Sequence, residues 1–532
     1  MNFFKNPVVI AFSLLSISGC SALTGQPKTA FSLPASVGID VADEYCVYDP
    51  NLHRDYQVAN LGNLWPRLRE GYGFPEVDNE RIQTYVDWYK RHPHYLDRVI
   101  ERGSRYLYHI VSELEARDMP LELALLPIVE SAFDPFAYSH GRAAGLWQFV
   151  PATGRYYGLE PNWWYDGRRD ITASTEAALT YLSRLHARFD QDWFLALAAY
   201  NTGGGNLNRS IRRNARAGQP TDFWSLQLPR ETRNYVPQLI ALARVVADPE
   251  AHGVTLRPVA NEPYFAQIPV DSQIDLAQAA EMAEIDIDEL YLLNPGHNRW
   301  ATDPDGPHTL LIPIEKSDVF TQRLAQLTPE QRVSWTRYEV KSGDSLIAIA
   351  QRHRTSVRTL QSVNDLNGHL IRVGQTLMIP TATQPDEHYA YSADQRLERQ
   401  QNRARGADGS QRIEYTVRAG DSFWRIARKH GVTVAALTNW NGMAPKDRLM
   451  PGQKLVIWTR NQALANAQGP AFNSRSTTRR VNYRVRQGDS IARIANRFNV
   501  SVSDVLNWNQ VSENNYIHPG QSLTLFVNVT GN

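Results

Sequence analysis

Three times in its C-terminal part the chain spells Tyr-x-Val-x-x-Gly-Asp-Ser, and this repeat constrains the fold more than any other feature. The copies are Tyr338 to Ser345, Tyr415 to Ser422 and Tyr483 to Ser490. Each runs on into Ile-Ala (Ile349-Ala350, Ile426-Ala427, Ile494-Ala495) and an Asn-rich turn (364–367, 439–441, 507–509). Each then closes with Gly-Gln (Gly374-Gln375, Gly452-Gln453, Gly520-Gln521) before an apolar stretch. A repeat with its own start and stop signals is a supersecondary unit. The chain is therefore modular, and its 532 residues also exceed what one hydrophobic core holds.

Within one copy, an alternating Tyr/Val strand ends at Gly-Asp-Ser, where Asp or Ser caps the helix in which Ile and Ala recur. A second short helix starts at Ser356, Thr433 or Ser501. Gly-Gln then turns into a strand such as Thr376-Leu377-Met378-Ile379. The order strand, helix, helix, strand in so short a span resembles LysM, a module that binds N-acetylglucosamine-containing glycans. That resemblance implies peptidoglycan glycan strands as the partner. It covers 336–381, 413–458 and 481–528. Residues 260–316 share the outline, with Asn294-Pro295-Gly296 and a closing Leu310-Leu311-Ile312-Pro313, but lack Gly-Asp-Ser; they read as a degenerate copy. The stretches 382–412 and 459–480 are polar, with few apolar anchors, and read as flexible linkers.

Composition narrows the remaining classes. A hydrophobic content of 42% excludes a mainly disordered chain, and a net charge of +1 provides no global footprint for nucleic acid, so no nucleic-acid partner is expected. The fourteen histidines show no paired metal-ligand spacing, His140 reads as a loop residue, and no metal or cofactor is expected. Gly203-Gly204-Gly205 lacks the Lys and Ser/Thr of a phosphate loop and reads as a turn.

At the N-terminus, Lys5 precedes an apolar run too short to span a bilayer. Leu15-Ser16-Ile17-Ser18-Gly19-Cys20 resembles the bacterial lipobox. The resemblance implies a signal peptide over 1–19, lipid on Cys20 and, because Ser21 follows, residence on the periplasmic face of the outer membrane. Residues 20–75 are then a tether, and Cys46 is left without an intrachain partner.

Residues 76–250 differ from everything downstream: amphipathic helical periodicity dominates, as in Ala178, Tyr181, Leu182, Leu185 and Phe189, with a helix start read at Thr172 and Glu176. The chemistry lies here. Glu130 ends the apolar run Leu123-Ala124-Leu125-Leu126-Pro127-Ile128-Val129 and precedes Ser131. A carboxyl group among apolar neighbours holds its proton to higher pH, as a general acid requires. Gly145-Leu146-Trp147-Gln148-Phe149, Ala198-Ala199-Tyr200-Asn201-Thr202-Gly203 and Glu231-Thr232-Arg233-Asn234-Tyr235-Val236 follow in that order. Singly, each of these is explained by packing or capping.

Glu-Ser, Gly-Leu-x-Gln, Ala-Tyr-Asn-x-Gly and Glu-Thr-x-x-Tyr-Val together resemble the soluble-lytic-transglycosylase family, with a lysozyme-like helical fold. The resemblance implies cleavage of the β-1,4 bond between N-acetylmuramic acid and N-acetylglucosamine with closure of a 1,6-anhydro ring. It makes Glu130 the catalytic acid/base, and has Gln148 and Tyr200 position substrate or the acid, Ser131 and Asn201 support them, and Trp147 face sugar; the acid role requires Gln148 and Tyr200 to converge on Glu130. Gly145, Leu146 and Tyr235 complete the set. The expected architecture is multidomain: a mainly α lysozyme-like catalytic domain followed by small α+β LysM modules.

Two other readings remain at this stage. A hydrolytic muramidase normally needs a second carboxylate, about 5 Å away for retention or about 6.5–9.5 Å for inversion, and Asp134 and Asp166 are nearby in sequence. A non-catalytic wall-binding scaffold would need only the LysM copies. Trp163-Trp164-Tyr165 suits either sugar stacking or burial, and Arg212, Arg213 and Arg216 either stem-peptide carboxylates or an exposed helix face.

Overall fold

A computed structural model describes residues 62–403, 410–460, 478–486, 489–498, 500, 502–509, 517–518 and 520–528. The 1–19 segment, Cys20, Cys46, and most of 20–75 and of 459–480 lie outside the described residues.

The helical domain starts earlier than the sequence boundary of 76. Helix α1 (Leu64–Glu70) buries Leu64, Trp65 and Leu68, and the Trp65 indole N–H donates to the Arg257 carbonyl at 2.8 Å. It is followed by α2 (Glu80–Arg91), α3 (Pro93–Glu115), α4 (Leu126–Ser131), α5 (Pro151–Tyr156), α6 (Ile171–Arg188), α7 (Trp193–Thr202), α8 (Gly204–Arg216) and α9 (Arg230–Ala247). Helix α3 buries Leu96, Val99, Ile100, Gly103, Leu107, Ile110, Val111 and Leu114, the three-to-four spacing of a helix facing a core. Helix α7 packs against α6, α8 and α9 and is apolar almost all round, as an enclosed helix must be. The cap of α6 is Asp170, whose carboxylate accepts from the Ala173 amide at 2.7 Å, so the helix begins before the expected Thr172.

Four small modules follow, each built on a two-stranded antiparallel sheet. The first comprises β1 (Phe265–Pro269), α10 (Leu276–Ala283), α11 (Ile287–Leu293) and β2 (Thr309–Pro313), with α12 (Ser317–Leu324) appended. The second comprises β3 (Ser334–Glu339), α13 (Leu346–Arg352), α14 (Val357–Val363) and β4 (Thr376–Thr381). Helix α15 (Ala393–Asn402) precedes the third, made of β5 (Ser410–Thr416), α16 (Phe423–Lys429), α17 (Val434–Trp440) and β6 (Lys454–Arg460). The fourth comprises β7 (Thr478–Arg484), α18 (Ile491–Arg497), α19 (Val502–Asn509) and β8 (Ser522–Asn528).

Two polar clamps explain the repeat. Ser345, Ser422 and Ser490 accept from the Ala348, Arg425 and Arg493 amides, so serine caps the helix. The aspartate beside it does other work. Asp344, Asp421 and Asp489 each accept from the repeat tyrosine hydroxyl (Tyr338, Tyr415, Tyr483; 2.6–2.7 Å) and from the amide three residues upstream. The second clamp is an asparagine that ties the second helix to the closing strand. Asn364 donates to the Leu360 and Met378 carbonyls and accepts from the Met378 amide; Asn441 does the same with Leu437 and Val456, and Asn509 with Val505 and Thr524. Asn294 makes the identical set with Leu290 and Leu311. The degenerate copy thus keeps the asparagine clamp though it lacks the aspartate.

Of the 382–412 stretch expected to be a flexible linker, residues 383–402 are packed instead. Tyr389 is 2% exposed and packs in the same buried cluster as Trp164, Tyr291 and Trp300, with Tyr391 against it. Its few aromatic anchors outweigh a polar composition.

Candidate functional site

Helix α4 sets Glu130 in place. Its start is fixed by the buried 3-10 turn Leu121–Leu125 and Pro127, and its end by two residues in the left-handed region, Ala132 (φ 51°) and Phe133 (φ 57°). Phe133 then plugs into α3 where that helix has Gly103; a Cβ there would lie 2.5 Å from the Phe133 ring. Ser131 couples the helix to the next motif, its hydroxyl within 3.1 Å of the Pro127 carbonyl and 3.0 Å of the Leu146 carbonyl.

The Gly-Leu-x-Gln segment is a tight turn beside α4. Gly145 sits at φ +81°, and a Cβ on it would come 2.0 Å from the Arg168 carbonyl, so only glycine fits. Leu146 and Trp147 are fully buried. The Trp147 indole N–H donates to Thr175 Oγ1 at 3.0 Å, which corrects the expectation that this ring faces sugar: its edge is committed to α6. Gln148 occupies the left-handed region (φ 49°), an uncommon conformation for a non-glycine residue. Its amide donates to the Gly145 carbonyl at 2.9 Å.

The hydroxyl that reaches Glu130 belongs to Tyr235, which donates to Oε1. Tyr200 lies near enough that the Glu130 charge helps raise its pKa, but its own hydroxyl donates to the Trp147 carbonyl at 2.7 Å. The expected convergence of Gln148 and Tyr200 on the carboxyl is thus replaced by Tyr235, with Tyr200 bracing the turn. Asn201 Oδ1 accepts from the Thr232 hydroxyl at 2.8 Å and so links the end of α7 to the start of α9, the helix that carries Tyr235. Nothing in the sequence alone marks Thr175 or Thr232 as site residues: Thr232 lies inside the Glu-Thr-x-x-Tyr-Val motif, and Thr175 one helical turn before Leu179 on a buried face.

Glu130 itself is half-buried. Desolvation pushes its pKa up to about 7; the Tyr235 hydroxyl pulls it down and the nearby Glu231 adds a smaller upward push. Tyr235 and Tyr200 are themselves held well above the usual phenol range by burial, so both are neutral donors. The carboxyl is therefore balanced between its protonated and charged forms near neutral pH, beside buried hydroxyls.

The two aspartates nearby in sequence are otherwise engaged. Asp134 accepts from the Phe136 amide at 2.8 Å, and burial raises its pKa. Asp166 forms a two-pronged pair with Arg168 (2.9 and 2.8 Å), both side chains 6% exposed. Trp164 and Tyr165 are buried against the first small module, the burial alternative for that aromatic run. Arg213 donates to the Gln227 carbonyl at 2.9 Å and Arg212 bonds within α8. Among the described residues there is no group of three or more His, Cys, Asp or Glu able to hold a metal ion, and no helix long and apolar enough to cross a membrane.

The chain matches the transglycosylase SLT domain over residues 108–223 and the LysM-like domain of the lytic transglycosylase MltD over 264–329. It matches the LysM domain over 338–380, 415–458 and 483–526. The middle assignment coincides with the degenerate copy. An autolysin of Enterococcus faecalis is 32% identical over 200 residues, 37% of this chain and 25% of that protein. The crystal structure of an inactive mutant of the lytic transglycosylase Slt from Pseudomonas aeruginosa matches at 22% identity over 28% of this chain and 25% of that one, with a TM-score of 0.21. The membrane-bound lytic murein transglycosylase D of Escherichia coli K12 is 35% identical over 473 residues, which is 87% of this chain and 100% of that relative. With that relative covered from end to end and the domains matched in order, the chain belongs to the membrane-bound lytic murein transglycosylase D family.

Proposed function

We propose that Glu130 is the single acid/base with which this lytic transglycosylase cuts peptidoglycan glycan strands. As an acid, Glu130 protonates the glycosidic oxygen between N-acetylmuramic acid and N-acetylglucosamine, and the bond to the muramic acid C1 breaks. As the resulting carboxylate, it takes the proton of the muramic acid C6 hydroxyl while that oxygen bonds to C1. A 1,6-anhydro ring closes, the proton returns to Glu130, and no water is consumed. The observation that carries this reading is the desolvated carboxyl with a pKa near 7, which suits a group that must give and take one proton. Tyr235 holds the carboxyl in one orientation and stabilises it when charged. Ser131, Gly145, Leu146 and Gln148 shape the turn beside it, and Tyr200, Asn201 and Trp147 brace that turn and the helices behind it.

Against a hydrolytic muramidase stand Asp134 and Asp166, each committed to a local hydrogen bond or ion pair rather than held free for a nucleophilic or water-activating role. The test is Glu130→Gln. Loss of glycan cleavage with folding and wall binding retained is expected, whereas unchanged turnover would return the chain to a scaffold role.

The LysM modules keep the enzyme on its polymer, since linked weak contacts become intramolecular and raise residence. We also assign residues 1–19 as a lipoprotein signal and Cys20 as the lipid anchor, which places the enzyme on the periplasmic face of the outer membrane. Metabolic labelling with palmitate, lost in Cys20→Ala, tests that assignment.

A further inference from the structure

The second LysM module, residues 413–458, touches the catalytic domain on the loop that leads into Gly145. Asp447 of that module pairs with Arg142 Nε at 2.6 Å and accepts from the Tyr138 hydroxyl at 3.2 Å. The same loop is tied to the turn beside Glu130: Gly145 N–H donates to the Ala137 carbonyl, and Arg168 donates to the Arg142 carbonyl at 2.7 Å. An ion pair whose arginine is 43% exposed is too weak to hold a module by itself. What brings the module there is the 383–402 stretch.

That strap is anchored at both ends. In the three repeat copies the first helix is capped by serine, but the degenerate copy has Asp275 at this position, and a carboxylate has a second oxygen to offer. One oxygen caps α10 through the Ala277 amide at 2.8 Å. The other accepts from the Thr383 amide (2.8 Å) and hydroxyl (3.0 Å) and from the Tyr389 hydroxyl (2.9 Å). Further along, the Tyr391 ring stacks on Phe136, two residues beyond Asp134, at 5.1 Å. The Arg396 guanidinium lies over Phe136 at 4.4 Å and donates to the Tyr391 carbonyl at 2.6 Å. Asp394 pairs with Arg299. At the far end of α15, Gln400 donates to the Asn439 carbonyl at 2.5 Å and Gln401 to Asn441 Oδ1 at 2.9 Å, both in the second LysM module. Asn441 is the clamp residue of that module, so the strap grips it where its second helix is tied to its closing strand.

We propose that the 383–402 strap fixes the second LysM module beside the catalytic loop as a permanent extension of the substrate-binding surface, so that glycan held by this module enters the site from one set position. The proposal rests on the reading of Glu130 as the acid/base of that site. The module's reach is then set by contact with residues 138–142 and not by the length of a free linker.

The test uses the full chain carrying spin labels, introduced through bio-orthogonal side chains, at Tyr156 and Met450, both exposed. Wild type and Glu130→Gln should give the same narrow distance distribution, since the docking does not depend on turnover. A release variant, Gln400→Ala with Gln401→Ala, removes the contacts of α15 to the module and leaves the cores intact. It should broaden the distribution, lower cleavage of long uncross-linked glycan strands about tenfold, and leave cleavage of a short muropeptide oligomer unchanged. A second variant, Tyr389→Phe with Thr383→Val, should broaden the distribution in the same way by loosening the strap from Asp275. A broad distribution in wild type, or one that neither variant alters, overturns the docking. A broadened distribution with long-strand cleavage unchanged overturns the guiding role. Failure of the Glu130 reading would show instead as cleavage by Glu130→Gln, with the distances unaffected.

Discussion

Removing the Tyr235 hydroxyl isolates the one side chain that, among the described residues, donates to Glu130. That bond favours the carboxylate and opposes the desolvation that raises the pKa to about 7. A hydrogen bond to a charged group contributes about 1.5–3 kcal/mol. At about 1.4 kcal/mol per pH unit, its loss in Tyr235→Phe should raise the Glu130 pKa by about 1–2 units. Because the first step needs the protonated acid, kcat/KM falls as pH rises through this pKa, so the wild-type alkaline limb should centre near 7. In Tyr235→Phe that limb should move to higher pH by about one unit or more. The maximal rate should also drop, by roughly tenfold, since the carboxyl loses its orientation. The assay is initial-rate cleavage of purified glycan strands from pH 5 to 9, with melting curves recorded over the same range. An alkaline limb that stays in place, or moves to lower pH, would refute the role given to Tyr235.

The buried acid also sets a stability cost. A folded-state pKa near 7 against an ordinary 4.5 leaves no penalty below about pH 4.5 and a full one above about pH 7. Glu130→Gln should therefore stabilise the helical domain by up to about 3 kcal/mol at pH 8 and much less at pH 4.5; equal effects at both would contradict the desolvation. Trp147→Phe should cost about 1 kcal/mol through the lost bond to Thr175 and leave KM for glycan unchanged, whereas a large KM increase would mean that the ring meets sugar. Asn441→Ala removes all three bonds of the clamp and should destabilise the second LysM module by about 2–4 kcal/mol, seen as faster hydrogen exchange within 413–458 while the catalytic domain stays protected.

The parts legible in the sequence were those with a period or an apolar pattern. Repeats with turn signals located the modules, and an apolar run ending in one carboxyl located Glu130. What stayed hidden were bonds between segments distant in sequence. Ser131, Tyr200 and Asn201 bond to the Leu146 carbonyl, the Trp147 carbonyl and Thr232 respectively, and no spacing rule predicts those partners. Trp147 reads as a sugar platform because an exposed and a buried indole have the same letter; in the fold the ring is buried and its N–H donates to Thr175. Gly-Asp-Ser was read as a cap of either kind, and the structure divides the work, serine to the helix and aspartate to the tyrosine. The 383–402 stretch escapes a reading by composition, because composition averages over length. Two tyrosines and one arginine, placed against Asp275 and Phe136, hold what its glutamines and arginines suggested would be loose.

The central claim is that one carboxyl group performs both proton transfers and that the attacking oxygen is the sugar's own. Digestion of purified peptidoglycan in ¹⁸O-labelled water, followed by mass spectrometry of the released fragments, tests it most directly. The account predicts 1,6-anhydromuramic acid ends free of ¹⁸O from wild type and no release by Glu130→Gln. Reducing muramic acid ends carrying ¹⁸O, or continued release by Glu130→Gln, would contradict it.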